Sequence, residues 1–332
     1  MIIHLKKDIN EAKAKELAAS LQAVIFKLQD QFIIITSSKL KEPGTEVEEL
    51  AEAWYPTSSD IQLASVEYQR EKRTLQLGAT SIGGTTGNTV MIAGPCSVES
   101  GEQIEKSALL LKSLDIKILR AGCFKPRTSP YTFQGMGEEG LKLMAKMREK
   151  YDLKIITEVR DASHVDLVID YTDIIQIGAK AMYDHGILHR CGQASKPVLL
   201  KRGFGTTLQE FVQCAEFIMS GGNENVALCE RGIRTFETKT RFTLDLCGVA
   251  YLKEFTNLPV ILDPSHAMGY RYGVADLTRA CLAMGIDGLL VETHPDVSVA
   301  KSDADQQLTH EQFREMYHSL QPIASAIGRK IV

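Results

Sequence analysis

Eight short apolar runs recur from residue 90 onward, and they constrain the fold more than any other feature of the chain. Each run has the length of a buried strand, and a segment with helical periodicity separates it from the next. The runs are Val90–Ala93, Ile116–Leu119, Lys154–Thr157, Ile174–Ile177, Pro197–Leu200, Val226–Cys229, Pro259–Leu262 and Gly288–Val291. Eight strand–helix units in about 240 residues match the size of a (β/α)8 barrel, although alternation alone also fits an open doubly wound sheet.

A polar or reactive residue stands at or just beyond the carboxyl end of each run. These residues are Cys96, Arg120, Glu158, Lys180, Lys201, Arg231, His266 and Glu292. An open sheet would concentrate such groups at one switch point, whereas a ring with one residue per strand is typical of a barrel mouth. We therefore predict an α/β fold in which residues 89–332 form a (β/α)8 TIM barrel that carries its chemistry at one rim.

The first 66 residues show a different pattern, β-α-β-β-α-β, which is the arrangement of a small α+β ferredoxin-like domain. A second helix opens at Thr45 and is expected to end before Pro56. The predicted strands are Ile2–Leu5, Val24–Leu28, Phe32–Ile35 and Ile61–Val66. Residues 67–88 are predicted to form a connection with a hairpin around Thr74–Leu77.

Four residues near the strand ends could converge on one metal ion: Cys96, His266, Glu292 and Asp303. Taken singly, a cysteine after a strand is more often part of the core, and a lone histidine more often makes an ordinary hydrogen bond. A thiolate, an imidazole and two carboxylates together do not suit Ca or Mg, which prefer oxygen ligands. The set would accept one divalent ion of Mn, Fe, Co, Zn or Cu.

Cationic residues also follow the apolar runs in the sequence: Arg120, Lys125, Arg127, Lys180, Lys201 and Arg231. They could be solvated surface charges, which is the usual fate of lysine and arginine. In a barrel mouth, however, six cations would repel one another unless anionic ligands compensate. This indicates two phosphates, or a phosphate and a carboxylate. The string from Lys125 to Ser129 adds hydroxyl groups suited to phosphate.

Composition narrows the class of partner and the compartment. The formal net charge of −4 gives no reason to expect nucleic acid or a membrane surface as the main partner. No apolar run approaches the roughly 20 residues of a membrane span, and the N-terminus lacks a signal-peptide core. Seven widely spaced cysteines without a CxxC pair fit reduced thiols in a cytoplasm.

Seven strings between residues 90 and 330 occur in the order and at the spacing of a known family. They are Gly94-Pro95-Cys96-Ser97, Arg120-Ala121-Gly122, Lys125-Pro126-Arg127-Thr128-Ser129-Pro130, Gln176-Ile177-Gly178-Ala179, Leu200-Lys201-Arg202-Gly203, Cys229-Glu230-Arg231-Gly232 and Ser302-Asp303. In these strings the chain resembles the 3-deoxy-D-arabino-heptulosonate 7-phosphate (DAHP) synthases. The N-terminal extension resembles the ferredoxin-like (ACT-like) regulatory domain of the type I-beta branch.

The resemblance implies a metal-dependent transferase that condenses phosphoenolpyruvate with erythrose 4-phosphate and water. The products are DAHP and phosphate, in the first step of the shikimate pathway. It further implies feedback inhibition by tyrosine or phenylalanine and a homotetramer. Cys96, His266, Glu292 and Asp303 would bind the metal, and Lys125, His266 and Cys96 would be catalytic. The implied substrate-binding residues are Arg120, Lys125, Lys201 and Arg231 for phosphoenolpyruvate, Arg127, Thr128 and Ser129 for the aldose phosphate, and in addition Glu158 and Lys180.

One departure and three rival interpretations stay open on the sequence. Lys180 stands where the family usually has arginine, so the charge is kept but the bidentate fork is lost. The sister enzyme, 3-deoxy-octulosonate 8-phosphate synthase, uses arabinose 5-phosphate, but its usual Lys-Ala-Asn-Arg string is absent after Lys125. A Schiff-base aldolase would use Lys201 as its nucleophile. A non-catalytic sensor of aromatic amino acids would have no reason to keep four metal ligands.

Overall fold

A small antiparallel sheet with two helices forms the N-terminal part of the computed structural model, which describes residues 1–125 and 129–332. Its elements are β1 (Ile2–Leu5), α1 (Glu11–Ser20), β2 (Val24–Leu28), β3 (Gln31–Ile35), α2 (Thr45–Leu50) and β4 (Ala51–Tyr55). The strands lie in the order β2-β3-β1-β4, and every neighbouring pair is antiparallel.

The fourth strand of this sheet is not the predicted one. Helix α2 ends at Leu50, five residues before Tyr55, and Ala51–Tyr55 pairs with β1 as β4. The side chains of β4 alternate between buried and more exposed positions, and its Trp and Tyr favour a strand over a helix. The predicted strand Ile61–Val66 is wrong, because that segment folds into turns. Its backbone N–H groups at residues 62–64 donate to the carboxylate of Glu216 instead of to a neighbouring strand.

A β-hairpin connects the small sheet to the barrel, close to where the sequence predicts one. It consists of β5 (Thr74–Leu77) and β6 (Thr80–Gly83). Its apolar side chains pack into the cluster that fills the interior of the barrel. At Gly83, where φ is +84°, a Cβ atom would lie 2.5 Å from Pro259 at the start of a barrel strand, so only glycine fits. The hairpin therefore closes the amino-terminal end of the barrel.

The barrel itself contains the eight predicted strands, all parallel. They are β7 (Asn88–Gly94), β8 (Ile118–Arg120), β9 (Lys154–Val159), β10 (Ile174–Ile177), β11 (Val198–Lys201), β12 (Val226–Glu230), β13 (Val260–Leu262) and β14 (Gly288–His294). Each strand pairs with the next along the chain, and β14 pairs with β7. This last pairing closes the sheet, so the predicted (β/α)8 TIM barrel is confirmed and the open sheet is excluded.

Helices cover the outside of the barrel and connect its strands. They are α3 (Gly101–Ser113), α4 (Glu138–Tyr151), α5 (Val165–Tyr171), α6 (His185–Gly192), α7 (Leu208–Met219), α8 (Leu246–Phe255), α9 (Pro264–Met268), α10 (Arg271–Ala283) and α11 (His310–Ala326). Two short strands, β15 (Leu308–Thr309) and β16 (Lys330–Ile331), extend the sheet. Within the described ranges, no helix is both long enough and apolar enough to cross a membrane.

Candidate active site

The predicted strand-end residues lie at one rim of the barrel because parallel strands present their carboxyl ends on the same side. Arg120 and Lys201 are the last residues of β8 and β11, and Glu292 lies within β14. Cys96, Lys180, Arg231 and His266 follow the ends of β7, β10, β12 and β13. The spacing rule thus brings residues separated by up to two hundred positions to a common mouth.

Three potential metal ligands meet on the side of the mouth formed by β13, β14 and β7, and a fourth, His266, lies next to one of them. One ligand atom each from Cys96, Glu292 and Asp303 lies within 4.8 Å of the other two. The Cys96 thiol donates to Asp303 Oδ2 at 3.3 Å, and His266 Nε2 lies 3.5 Å from Glu292 Oε1. We call Cys96, His266, Glu292 and Asp303 the metal cluster.

Buried cations and an amide contact this cluster directly. Arg120 Nη1 donates to Glu292 Oε1 at 2.6 Å, and Lys125 Nζ donates to Cys96 Sγ at 3.0 Å. The amide of Gln306 donates to the other oxygen of Glu292 at 2.6 Å. Both carboxylate oxygens of Glu292 therefore have partners although its side chain is fully buried.

The protonation states of the cluster fit a site prepared for a cation. Burial, together with the neighbouring Glu292 carboxylate, raises the pKa of the Cys96 thiol to about 12. Burial opposes ionisation of Glu292 and Asp303, but the surrounding positive charges together outweigh it. These are His266 in its protonated form, with Arg120 beside Glu292 and Lys125 beside Asp303, and the pKa of each carboxyl therefore lies below its usual range. Burial also lowers the pKa of His266, which favours the neutral imidazole. A divalent ion placed between these groups would reverse the repulsion that keeps the thiol protonated, so the residues fit a metal.

Asp263 lies beside the His266 ring, on the side of Nδ1. Asp263 Oδ2 lies 2.7 Å from His266 Nδ1, outside hydrogen-bonding geometry, and the same oxygen forms an ion pair with Lys201. The other oxygen of Asp263 accepts the backbone N–H of His266 at 3.0 Å and so caps α9. The other ring nitrogen, Nε2, lies toward Glu292.

A cavity of about 370 Å³ opens beside the metal cluster, above the ends of β9 to β12. We call it the anion cavity. It is lined by Lys125, Ser129, Thr132, Glu158, Gly178, Ala179, Lys180, Lys201, Phe204, Arg231, Arg241, Phe242, His266 and Asp303. Since five lysine and arginine residues are among them, the cavity is suited to a ligand with more than one negative charge.

Arg231 shows the character of this cavity most clearly. Its side chain is buried, and the guanidinium carbon lies 4.2 Å from the centroid of the Phe242 ring and 5.8 Å from that of Phe204. Among residues 1–125 and 129–332, no atom hydrogen-bonds to Arg231 Nη1. A buried donor without a partner costs free energy unless a ligand accepts from it, and an anion in the cavity would do so.

The other predicted substrate-binding residues differ in position. Glu158 accepts a hydrogen bond from the Gln176 amide at 3.3 Å. It passes so close to Gly178 that a Cβ atom there would lie 1.9 Å from the carboxylate. Lys180 is exposed, and Ser129 is half-buried, at the edge of the cavity. Arg127 and Thr128 lie outside the described residues.

Sequence reasoning missed Phe204, Arg241, Phe242 and Gln306. The Arg241 guanidinium lies 3.6 Å from Asp303 Oδ1 and donates to Gln306 at 2.7 Å. All four residues lie in loops beyond the strand ends, where no regular spacing marks them. Only the nearness of Phe204 to the Lys201 string offered a signal.

Residues 66–328 match the DAHP synthetase I family. The chain belongs to this family. As a member of the DAHP synthetase I family it is an enzyme, a DAHP synthase of the transferase-type aldolases, so the predicted enzyme class is confirmed.

Known relatives agree with this assignment. A phospho-2-dehydro-3-deoxyheptonate aldolase of Thermotoga maritima is 44% identical over 269 residues, which are 81% of this chain and 79% of the relative. A 2-dehydro-3-deoxyphosphooctonate aldolase of Stenotrophomonas maltophilia is 30% identical over 258 residues, which are 72% of this chain and 92% of the relative. The identity is thus higher to the heptonate enzyme.

Two solved structures from Thermotoga maritima are similar in fold. The crystal structure of a phospho-2-dehydro-3-deoxyheptonate aldolase (DAHP synthase) aligns with 100% of this chain and 99% of its own, with a TM-score of 0.81 and 39% identity. A truncated 3-deoxy-D-arabino-heptulosonate 7-phosphate synthase aligns with 81% of this chain and 98% of its own, with a TM-score of 0.76 and 40% identity.

Proposed function

We propose that the chain binds one divalent metal ion, of Mn, Fe, Co, Zn or Cu, and condenses phosphoenolpyruvate with erythrose 4-phosphate and water. The products are DAHP and phosphate, in the first step of the shikimate pathway. The observation that carries this proposal is the convergence of the metal cluster with a cation-lined cavity at one rim of the barrel. Family membership supports the same reaction.

The two substrates would occupy neighbouring parts of the mouth. Arg120, Lys125, Lys201 and Arg231 bind the phosphate and carboxylate of phosphoenolpyruvate. Arg231 supports this most strongly, because its side chain lines the anion cavity and its buried Nη1 has no hydrogen-bonding partner among the described residues. Arg127, Thr128 and Ser129 bind the phosphate of the aldose, and Glu158 and Lys180 complete the cavity wall.

In the reaction, a bond forms between C3 of phosphoenolpyruvate and the aldehyde carbon of erythrose 4-phosphate. Cys96, His266, Glu292 and Asp303 would hold the metal, which when bound would supply Lewis-acid polarisation of the aldehyde. Lys125, whose ammonium is buried at the edge of the cavity, donates a proton to the oxygen that becomes a hydroxyl. Water adds at C2, and the proton that it loses restores the Lys125 ammonium. The bond between C2 and the phosphate oxygen then breaks, the proton of the C2 hydroxyl leaves with the phosphate, and the neighbouring cations stabilise the charge of the leaving group.

The proposal is tested by phosphate release from phosphoenolpyruvate in metal-reconstituted protein. Erythrose 4-phosphate and arabinose 5-phosphate are compared side by side, with a chelator as control. We expect release with erythrose 4-phosphate that the chelator abolishes. Preference for arabinose 5-phosphate would move the chain to the sister activity, which its more distant relatives carry. Release with neither aldose would contradict the proposed reaction.

Treatment with borohydride distinguishes the proposed mechanism from that of a Schiff-base aldolase. Lys201 Nζ forms an ion pair with the buried Asp263, and an amine that attacked a carbonyl would have to leave this contact. We therefore expect that borohydride added in the presence of erythrose 4-phosphate, the substrate with a carbonyl group, leaves the enzyme active once the reagents are removed. Irreversible inactivation with a covalent adduct on Lys201 would overturn this expectation.

We also propose a type I-beta organisation: a ferredoxin-like (ACT-like) regulatory domain over residues 1–66, a connection over 67–88 and the catalytic barrel over 89–332. The strand order β2-β3-β1-β4 supports the first assignment. In this proposal tyrosine or phenylalanine binds the N-terminal domain and inhibits the enzyme, which is a cytoplasmic homotetramer. The free state of all seven cysteines is consistent with a cytoplasmic location.

The regulatory role is tested by truncation. Residues 62–64 donate to Glu216 on the barrel, so the truncation should remove residues 1–59 and keep these three. We expect an active enzyme that aromatic amino acids no longer inhibit. Inhibition that persists after truncation would contradict an effector site in the N-terminal domain. Light scattering of the full chain tests the tetramer.

A further inference from the structure

A carboxylate outside the metal cluster contacts all three chain segments that carry its closest ligands. Glu99 Oε1 accepts from the Ser97 hydroxyl at 3.1 Å and from the backbone N–H of Lys301 at 2.9 Å. Its other oxygen lies 3.5 Å from His294 Nε2. Ser97 is next to Cys96, Lys301 is two residues before Asp303, and His294 is two residues after Glu292. The Glu99 side chain is only 6% exposed, so water scarcely competes for these contacts.

A second buried side chain joins two of the same segments. The amide oxygen of Gln307 accepts the backbone N–H of Cys96 at 2.8 Å, and its nitrogen donates to the carbonyl of Ser302 at 2.8 Å. The Ser97 and Ser302 hydroxyls also hydrogen-bond to each other at 2.8 Å. The loop that carries Cys96 and the loop that carries Asp303 are therefore connected on two sides. We call Glu99 and Gln307 the clamp.

The backbone of Asp303 explains why such a clamp is needed. Asp303 has a φ of +47°, in the left-handed region that residues other than glycine rarely adopt. Strained backbone of this kind persists only when the surrounding structure over-determines it. Here the two preceding residues are bound through a backbone N–H, a hydroxyl and a carbonyl. Without them the loop would relax, and the Asp303 carboxylate would leave Cys96.

We propose that Glu99, with Gln307, is a positioning residue that holds Cys96, Glu292 and Asp303 at metal-binding distance without touching metal or substrate. This inference rests on the metal site of the proposed function. The clamp acts through hydrogen bonds to the segments that carry Cys96 and Asp303. Glu99 accepts from both segments, and Gln307 accepts from one and donates to the other. Hydrogen-bonding partners of ligands commonly change metal affinity by 10- to 100-fold when they are removed.

The test is cobalt binding, followed by the charge-transfer absorption between the Cys96 thiolate and Co²⁺, which requires no turnover. We expect Glu99→Ala to weaken Co²⁺ binding by about 10- to 100-fold. Glu99→Gln keeps an oxygen that can accept from Ser97 and Lys301, so we expect only a few-fold loss. Glu102→Gln is the matched control, because Glu102 is one turn away, exposed, and paired only with Lys106 in the described structure.

The outcomes separate the clamp from the site on which it depends. Unchanged Co²⁺ affinity in Glu99→Ala, with a lowered melting temperature, would show a merely structural role and overturn the proposal. An equal loss in Glu99→Gln and Glu99→Ala would overturn the hydrogen-bonding explanation. Absence of the thiolate band in the unsubstituted protein would overturn the metal site together with the clamp. If Glu99→Ala does not fold, Gln307→Ala tests the same prediction from the other side.

Discussion

On the side of the mouth formed by β13, β14 and β7, the charged side chains contact one another, whereas Arg231, which follows β12 on the other side, lies against aromatic rings. Glu292 has an arginine and an amide at hydrogen-bonding distance, and the Cys96 thiol lies between Lys125 and Asp303. Arg231, in contrast, stacks on Phe242, and its Nη1 has no hydrogen-bond acceptor among the described residues.

This difference indicates what each side is prepared to accept. A self-neutralised cluster of thiol, imidazole and carboxylates can exchange a proton for a metal ion with little rearrangement. An arginine on an aromatic face keeps its planar fork oriented while offering its donors to an anion. The metal cluster therefore fits a resident cation, and the anion cavity fits an anionic ligand that binds and dissociates in each catalytic cycle.

The largest effect is expected when a ligand of the metal cluster is removed. Cys96→Ala removes the thiol ligand, and we expect loss of stoichiometric metal and a decrease of activity by about a thousandfold or more, since the metal supplies several kcal/mol of transition-state stabilisation. Bound metal is measured by elemental analysis and activity by phosphate release. The exposed Cys247 provides the control variant, Cys247→Ala. Full activity of Cys96→Ala without metal would refute the role of the cluster.

The next largest effect is expected when anion binding in the cavity is weakened and the metal cluster is left intact. Arg231→Lys keeps the charge but loses the fork and its stacking on Phe242, so we expect kcat/KM for phosphoenolpyruvate to fall by about 10- to 100-fold. Bound metal should not change. Arg234→Lys is the matched control, because Arg234 also stacks on Phe204 but does not line the cavity. Equal losses in both variants would mean that stacking, and not anion binding, is what matters.

A smaller effect, an improvement in substrate binding, is expected from a substitution at the wall of the anion cavity. Lys180 is exposed at the wall of the anion cavity, where the resembling family usually has arginine. Lys180→Arg restores bidentate binding, and we expect the KM for phosphoenolpyruvate to fall a few-fold at unchanged kcat. Initial rates at varied phosphoenolpyruvate measure this. An unchanged or higher KM would show that Lys180 does not contact the substrate phosphate.

The smallest expected effect is a pH dependence of the protein's stability that arises from His310, the first residue of α11. Burial, His294 and Arg314 lower the pKa of His310 to about 4, and its place at the start of α11 opposes a positive charge. The unfolded chain takes up this proton below about pH 6.5. The stability that depends on neutral His310 is therefore present above that pH and is lost as the pH falls toward about 4.

We expect His310→Gln to flatten this part of the stability profile, measured as urea midpoints at about pH 7 and about pH 5. His318→Gln, on an exposed position of the same helix, is the control. If His310→Gln and the unsubstituted protein lose stability in parallel, other groups cause the acid sensitivity.

The sequence predicts the barrel well because its buried parallel strands are short apolar runs with polar ends. Those ends also place Cys96, His266 and Glu292 at the mouth, whereas Asp303 lies in the loop beyond β14. The fourth N-terminal strand escapes prediction, because Ala51–Tyr55 continues a helical segment without a turn signal and becomes a strand only by pairing with β1. Phe242 and Gln307 escape for a related reason. Their contacts join loops that are far apart in the chain, and no local pattern encodes them.

The hairpin at the amino-terminal end of the barrel has a consequence for the order of events during turnover. Because Leu75, Leu77 and Ile82 pack against the barrel interior, the barrel is closed at that end. Both substrates and both products must then pass through the same rim. A molecule bound to buried Lys201 and Arg231 lies behind one bound nearer the edge, at Ser129. With the substrate positions proposed above, phosphoenolpyruvate would therefore enter before the aldose phosphate, and an aldose that bound first would block its path.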